Sequence, residues 1–181
     1  MKTLSTFLNR IAGWKSLVLF LAIYILFAGY ILKNTESRII ELTGKSVGII
    51  DLTFGFNPQK TLMMVAEYGD AARSYYAWTE MTTDMVYPFV YAFLFGVILT
   101  LLYRESPYAW VSLVPFICLL LDYLENINIV ILLTTYPRQS ITIAILAEIF
   151  KLMKWLAFGS VILLMIFGLA SRMIHRVKER Q

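Results

Sequence analysis

The chain has 181 residues, of which 59% are hydrophobic and only 15% are charged, and its mean hydropathy is +0.70. Ordinary soluble domains carry about 25% charged residues, so this composition predicts an integral membrane protein. The single cysteine, Cys118, excludes an internal disulfide and a CxxC pair, and the lone histidine, His175, leaves an intramembrane haem without obvious ligands. The net charge of +4 is attributed to membrane-surface electrostatics, because no aromatic and basic nucleic-acid motif is present.

Four apolar segments predict an all-α integral membrane protein, a four-transmembrane-helix bundle in one polytopic domain of residues 1–181. The predicted spans are 16–32, 85–103, 108–134 and 141–170. Trp14 and Lys15 precede the first span as an interfacial pair, and no clear A-x-A site follows it, so we expect an uncleaved anchor rather than a signal peptide. Ser140 is the predicted N-cap of the fourth span.

The long first loop, residues 33–84, is predicted to form an extracytoplasmic cap of short amphipathic helices. Asn57 and Pro58 are typical of a helix start, Gly69 of its end, and Asp70 of the start of a further helix that runs towards the second span. The third and fourth spans exceed the ~20 residues needed to cross a bilayer. We therefore expect their short connection, TTYPRQS at 134–140, to stand above the membrane with the cap folded around it.

Basic residues at the ends of the spans predict the orientation. One side of the bundle carries Lys2, Arg10, Lys15, Arg104, Arg172, Arg176, Lys178 and Arg180. On the other side, basic residues are mixed with acidic ones in a longer loop. We expect a multi-pass plasma-membrane protein with both termini cytoplasmic.

Polar residues inside the apolar spans are the candidates for a functional site, because ionisable groups at membrane depth usually face a protein interior or a cavity. Their spacings place each set on one helical face, and the four-span topology brings the sets to one level in the outer half of the bundle. Pro88 predicts a kink beside this pocket. The sets are Asp84, Tyr87 and Tyr91 in the second span, Asp122, Glu125 and Asn126 in the third, and Glu148, Lys151 and Trp155 in the fourth.

The pocket predicts roles for these residues. Asp122 and Glu125 are the candidate catalytic acid and base, and Lys151 would stabilise developing negative charge. The candidate substrate-binding residues are Asp84, Tyr87, Tyr91, Asn126, Glu148 and Trp155. No metal site or cofactor is predicted, but Mg²⁺ or Ca²⁺ held by the carboxylates of Asp84, Asp122, Glu125 and Glu148 stays open as an alternative. The residues also have structural interpretations: interhelical hydrogen bonds, a Glu148–Lys151 ion pair, and lysines 151 and 154 snorkelling outward.

The predicted function is binding of a lipid-like or amphiphilic small molecule in this outer-leaflet pocket, with acid/base chemistry on it as a further step. Membrane lipid and such an amphiphile are the expected partners. Two alternatives stay open: a small proton-coupled transporter subunit, or a structural or assembly factor of a membrane complex. A transporter of this size would need to form a homodimer, and Gly96, Gly159 and Gly168 permit close helix contacts.

The overall plan is four spans, a long first extracytoplasmic loop, short later loops and carboxylates in the bundle. In this arrangement it resembles sterol isomerase and sigma-2-receptor-type proteins. The resemblance is one of shape, and no functional residue of those proteins is carried over to this chain.

Overall fold

The computed structural model describes residues 2–178, with side chains for residues 3–174, and every regular element in this range is helical. The α-helices are α1 (Lys2–Ile11), α2 (Trp14–Leu26), α3 (Leu32–Thr43), α4 (Pro58–Glu67), α5 (Gly69–Met81), α6 (Thr83–Tyr103), α7 (Val114–Thr135) and α8 (Ile141–Lys178). A π-helical turn, Phe27–Ile31, joins α2 to α3, and 3₁₀ turns occupy Ile50–Leu52 and Ala109–Leu113.

Four helical stretches are long and apolar enough to cross a membrane, as predicted. They are Trp14–Thr43, Gly69–Tyr103, Ala109–Thr135 and Ile141–Ile174. The first two are longer than the predicted spans, because α3 continues α2 through the π-helical turn and α6 follows α5 after a break at Thr82. The second span runs unbroken through Pro88. Much of the predicted cap is therefore built from extensions of the spans rather than from separate surface helices.

The local signals in the cap are confirmed. The Asn57 side chain accepts a hydrogen bond from the backbone N–H of Lys60 at 3.0 Å, which caps α4. Gly69 has a φ of +73°, in the left-handed region that favours glycine, and separates α4 from the body of α5. Burial raises the pKa of the Tyr68 phenol, whose hydroxyl donates to the Gly48 carbonyl oxygen at 2.9 Å.

Residues of the cap also contact the connection between the third and fourth spans. The Gln139 side-chain amide donates to the Leu62 carbonyl oxygen at 2.7 Å. The Arg73 guanidinium lies 3.9 Å from the centre of the Tyr136 ring. These two contacts fix the 134–140 connection against α4 and α5. The predicted N-cap is present too, since the Ser140 hydroxyl oxygen accepts from the Ile143 N–H at 3.4 Å.

Two hydrophobic cores are stacked along the bundle, one in the cap and one between the lower halves of the spans. The cap core contains Tyr68, Tyr76, Ile129, Leu132 and Ala147 among its buried residues. The lower core contains Tyr91, Leu94, Leu99, Cys118 and Val161. Because α7 and α8 contribute to both cores, these helices run continuously through the layer between them.

Two arginines mark the far end of the lower core, and among the described residues both donate hydrogen bonds to backbone carbonyl oxygens rather than to carboxylates. Arg104 donates to the Ala12 carbonyl oxygen at 2.9 Å, and Arg172 donates to the carbonyl oxygens of Leu101 and Leu102. Through these contacts the start of the first span, the end of the second span and the end of the fourth span lie side by side. Helix α1, which was not predicted, packs here through Leu8, which is fully buried.

The three glycines considered for close packing differ in their surroundings. A Cβ on Gly168 would lie 2.9 Å from Tyr103 Cε2, and one on Gly96 would lie 3.3 Å from Phe116 Cε2, so both positions bring helices close together. A Cβ on Gly159 would meet nothing within 4 Å. Gly168 therefore sets the approach of α8 to α6.

Candidate functional site

A polar layer separates the two hydrophobic cores. On α7, Asp122, Glu125 and Asn126 follow Cys118 of the lower core and precede Ile129 of the cap core. The second and fourth spans also carry charged residues between the two cores. Asp84 lies between Tyr76 and Tyr91, and Lys154 lies between Ala147 and Val161. Buried charged side chains are retained in proteins where they are paired or face a cavity, so this layer is the candidate site.

Lys154 is the central cation of the layer. Its Nζ lies 2.6 Å from Glu125 Oε2 and 3.6 Å from Asp122 Oδ1. The side chains are nearly inaccessible, with exposed fractions of 12% for Lys154, 11% for Asp122 and 0% for Glu125. The pairing matters because an isolated charge buried at this depth costs several kcal/mol. One ammonium group therefore serves two carboxylates on the adjacent helix.

Hydrogen bonds from the second and third spans hold the remaining polar groups. The Tyr91 hydroxyl donates to Asp122 Oδ2 at 2.9 Å. The Asn126 side-chain amide donates to the backbone carbonyl oxygen of Asp84 at 2.9 Å, and Tyr123 donates to that of Met85 at 2.7 Å. Asn126 and Tyr123 thereby fix the first turn of α6 against α7.

A cavity of about 590 Å³ opens from this layer. Ligand sites for small molecules typically enclose about 300–1,000 Å³. The cavity lies between the first span, the Ile50–Leu52 turn and the other three spans. Its wall comprises Tyr24, Ala28, Leu32, Lys33, Thr35, Glu36, Ile49, Asp51, Leu52, Tyr76, Asp84, Tyr87, Tyr91, Asp122, Asn126, Lys154, Trp155 and Phe158.

Carboxylates outnumber cations in the cavity wall. Asp51, Asp84, Asp122 and Glu36 line it together with only two lysines, 33 and 154. Asp51 accepts a hydrogen bond from the Tyr76 hydroxyl at 2.9 Å. Within the described part of the chain, the Asp84 carboxylate has no hydrogen-bond donor or ion-pair partner. The wall therefore presents at least one acceptor group that is free to bind a ligand.

Two further carboxylate oxygens behind the wall lack donors among the described residues. Glu80 is 1% exposed and its Oε2 has no hydrogen-bond partner, and Glu125 Oε1 is also without one. Such atoms are uncommon in folded proteins and call for an explanation. Both lie in the polar layer that borders the cavity.

Six of the nine predicted site residues line the cavity, and Glu125 lies directly behind it, paired with Lys154. The six are Asp84, Tyr87, Tyr91, Asp122, Asn126 and Trp155. Glu148 and Lys151, which were expected to share this pocket, do not line the cavity. They form an ion pair of 2.6 Å in a separate cluster, where Glu148 accepts from the Thr61 hydroxyl at 2.6 Å and Lys151 donates to Thr53 at 2.7 Å.

The physical reason is the path of the cap. The segment from Thr53 to Thr61 folds over α8 at the level of Glu148, whose carboxylate also accepts from the Asn57 N–H at 2.9 Å. These contacts fasten the cap to the fourth span and leave no carboxylate oxygen of Glu148 unbound. The outward snorkelling of lysines 151 and 154 is wrong, since both side chains are buried in the protein.

Sequence reasoning missed Lys154, although a signal was present. Ala147, Lys154 and Val161 repeat at intervals of seven, and the two apolar members of this set are 2% and 0% exposed. Residues at this spacing share one helical face, so Lys154 had to face the bundle. Asp51 and Lys33 were missed because their positions depend on how the cap folds, which no local pattern specifies.

The carboxylates do not gather as a metal site. Among the residues whose side chains the structure describes, no three His, Cys, Asp or Glu side chains approach closely enough to hold a metal ion. The alternative of Mg²⁺ or Ca²⁺ at Asp84, Asp122, Glu125 and Glu148 required those four to converge, and Glu148 belongs to the other cluster.

No family model, curated protein or solved structure matches this chain. The class that the fold defines is a multi-pass helical protein with four potential membrane spans. Its function is therefore inferred from the site alone.

Proposed function

We propose that this protein binds an amphiphilic, lipid-like molecule in the cavity, with the polar head at the carboxylate layer and the apolar part against the aromatic wall. The observation that supports the proposal most strongly is the composition of this wall. Asp84, Asp122 and Lys154 lie on the same cavity as Tyr24, Trp155 and Phe158. Binding sites for small molecules combine predominantly apolar walls with a few converging polar groups in this way.

The depth of the layer supports a lipid-like ligand. On three spans, a tryptophan or arginine suited to the membrane boundary is followed or preceded, about 20 residues away, by a residue of the polar layer. About 20 residues of helix are roughly 30 Å long, which matches the thickness of the hydrocarbon core. The pairs are Trp14 and Lys33, Arg104 and Asp84, and Arg172 and Lys154. We infer that the polar layer lies at headgroup depth, on the extracytoplasmic side if both termini are cytoplasmic.

The unpaired groups favour a head that donates hydrogen bonds or carries positive charge. The Asp84 carboxylate has no hydrogen-bond donor or close ion-pair partner within the described residues, while the Lys154 ammonium is already shared between Asp122 and Glu125. A ligand amine or hydroxyl would satisfy the surplus acceptors. A phosphate without such a group would add further acceptors to a site that already lacks donors, which is unfavourable.

Acid/base chemistry on the bound molecule is a second candidate function, favoured by the position of Lys154. A cation between two carboxylates at the edge of a cavity is an arrangement used for proton transfer and charge stabilisation. In this proposal Asp122, which lines the cavity, keeps an acid/base role and Lys154 takes the role predicted for Lys151, while Glu125 lies behind the wall and acts only through its ion pair with Lys154. Binding is the more direct proposal because it requires only the cavity and its wall.

Mass spectrometry of lipids that co-purify with the protein tests the proposal. The protein is extracted in a mild detergent, and its lipids are compared with those of Tyr87→Trp, which fills the cavity, and of Glu105→Gln, an exposed residue at the opposite end of the second span. We expect one amine- or hydroxyl-bearing amphiphile per chain in the wild type and in Glu105→Gln, and its loss from Tyr87→Trp. A lipid profile identical in all three proteins would contradict the proposal.

A further inference from the structure

We propose that the apolar tail of the ligand leaves the cavity sideways, through an opening between the first and fourth spans that is bordered by Ala28 on one side and by Trp155 and Phe158 on the other. This inference rests on the proposed binding function and adds a path into the bilayer. Its occupant is a single acyl or isoprenoid chain, continuous with the head that binds at Asp84.

The helices on the two sides of the proposed opening pack only weakly against each other. Helices α2 and α3 pack against α6 and α5, and α8 packs against α4, α6 and α7, whereas α2 does not pack closely against α8. No residue of α2 is buried, so this helix is held on one face only. Residues from both spans nevertheless line the cavity, which therefore extends into the gap between them.

The first span is shaped for such an opening where it borders the gap. Ala28 is exposed, lines the cavity and lies in the π-helical turn Phe27–Ile31. Turns of this kind widen a helix locally and are frequent at functional sites. Tyr24 and Phe27 stack on Tyr87 with ring centres 5.7 and 6.1 Å apart, which holds the first span in place while the small Ala28 side chain keeps the gap open.

The upper border of the opening is aromatic and rigidly held. Phe54 is 86% exposed, and its ring centre lies 5.8 Å from that of Trp155. The neighbouring Thr53 is held by Lys151 at 2.7 Å, and Asn57 is held by Glu148 at 2.9 Å. The Glu148–Lys151 pair thus fixes an exposed aromatic residue at the cavity rim. Aromatic side chains are well suited to the boundary between headgroups and acyl chains.

The depth of the opening identifies its occupant. On the fourth span, Trp155 and Phe158 lie between Lys154 of the polar layer and Arg172 at the opposite membrane boundary. The gap that they border therefore faces the hydrocarbon core, next to the polar layer. An apolar ligand tail in this gap would lie between apolar side chains on one side and lipid on the other. It would meet no unpaired backbone polar group, because both borders of the gap are helical. A ligand without a tail would leave this gap to membrane lipid.

Chain-length selectivity of an Ala28→Trp variant tests the inference. The probes are hexylamine and hexadecylamine, whose binding to protein in phosphatidylcholine nanodiscs is measured by native mass spectrometry. The matched control is Ala22→Trp, the same change on the same span at an exposed residue that does not line the cavity. We expect the wild type and Ala22→Trp to bind both amines, and Ala28→Trp to keep hexylamine while its affinity for hexadecylamine falls at least tenfold.

Three results would overturn the inference: unchanged binding of both amines by Ala28→Trp, equal loss of both, or the same selectivity in Ala22→Trp. Failure of the wild type to bind either amine or any co-purified amphiphile would instead contradict the proposed function. Ala28→Phe is the second variant, with the same expected selectivity, if the tryptophan protein does not elute as a single species in size-exclusion chromatography.

Discussion

The ammonium group of Lys154 lies 2.6 Å from Glu125 Oε2, and the Glu125 side chain is wholly buried. This pair joins the third and fourth spans between two hydrophobic cores, where an uncompensated charge is costly. Asp122, which lines the cavity, lies 3.6 Å from the same ammonium and links the pair to the cavity wall. Lys154 therefore connects the stability of the bundle with the charge of the site.

Replacing Lys154 by methionine should destabilise the protein strongly. Removing one partner of a buried ion pair leaves the other charge uncompensated and costs about 3–5 kcal/mol. The double variant Lys154→Met/Glu125→Gln should recover part of this loss, because it removes both charges. Thermal melting in detergent, followed by size-exclusion chromatography, measures both effects. If Lys154→Met had the same melting temperature as the wild type, the ion pair would not contribute to stability.

Tyr91→Phe should destabilise the protein moderately, since it removes the hydroxyl that donates to Asp122 at 2.9 Å. Hydrogen bonds to charged groups contribute about 1.5–3 kcal/mol. Tyr30→Phe is the control, because Tyr30 is 63% exposed on the first span. We expect a lower melting temperature for Tyr91→Phe only. Equal melting of the two variants would mean that the Asp122 contact is not stabilising.

Variants of the second cluster should separate stability from binding. Glu148→Gln weakens contacts to Thr61, Asn57 and Lys151, so the cap should become more sensitive to limited proteolysis between residues 53 and 61. Retention of the co-purified amphiphile should stay at half the wild-type level or above, because Glu148 does not line the cavity. If Glu148→Gln lost the amphiphile completely while its proteolysis pattern stayed unchanged, the result would contradict this prediction and indicate that Glu148 binds the ligand.

Gly168→Ala and Gly159→Ala are a matched pair on α8. The added methyl at 168 would lie 2.9 Å from Tyr103 Cε2, and the Tyr103 ring cannot easily move because its hydroxyl donates to the Leu164 carbonyl oxygen at 2.8 Å. Overpacking of this kind costs about 1–3 kcal/mol. At Gly159 the methyl meets nothing within 4 Å. Melting temperatures should fall for the first variant alone, and a fall in both would point to helix flexibility instead of packing.

Much of the fold could be predicted because the apolar stretches and the helix caps are local signals. The presence of four apolar spans, the Asn57 cap and the Gly69 break are local signals, whereas the extension of the first two spans into the cap is not. The inward position of Asp122, Glu125 and Asn126 was predictable for a similar reason, since three polar residues on one face of an apolar helix need a protein interior.

The second cluster could not be anticipated from the sequence. Lys151 and Lys154 both face inward on α8, and only the path of residues 53–61 decides that the first binds the cap while the second faces the cavity. Asp51 joins the site through Tyr76, which is 25 positions away in the chain. Such contacts depend on tertiary folding, and neither periodicity nor capping patterns contain them.

Binding of the co-purified amphiphile to Asp84→Asn, compared with wild type and with Glu105→Gln, tests the central claim most directly. Native mass spectrometry of the three proteins gives the fraction of chains that carry the ligand. We predict that this fraction falls at least tenfold in Asp84→Asn, because the unpaired carboxylate of the cavity wall is lost, and stays unchanged in Glu105→Gln. Equal occupancy in Asp84→Asn and the wild type would contradict the assignment of the carboxylate layer as the site that binds the ligand head.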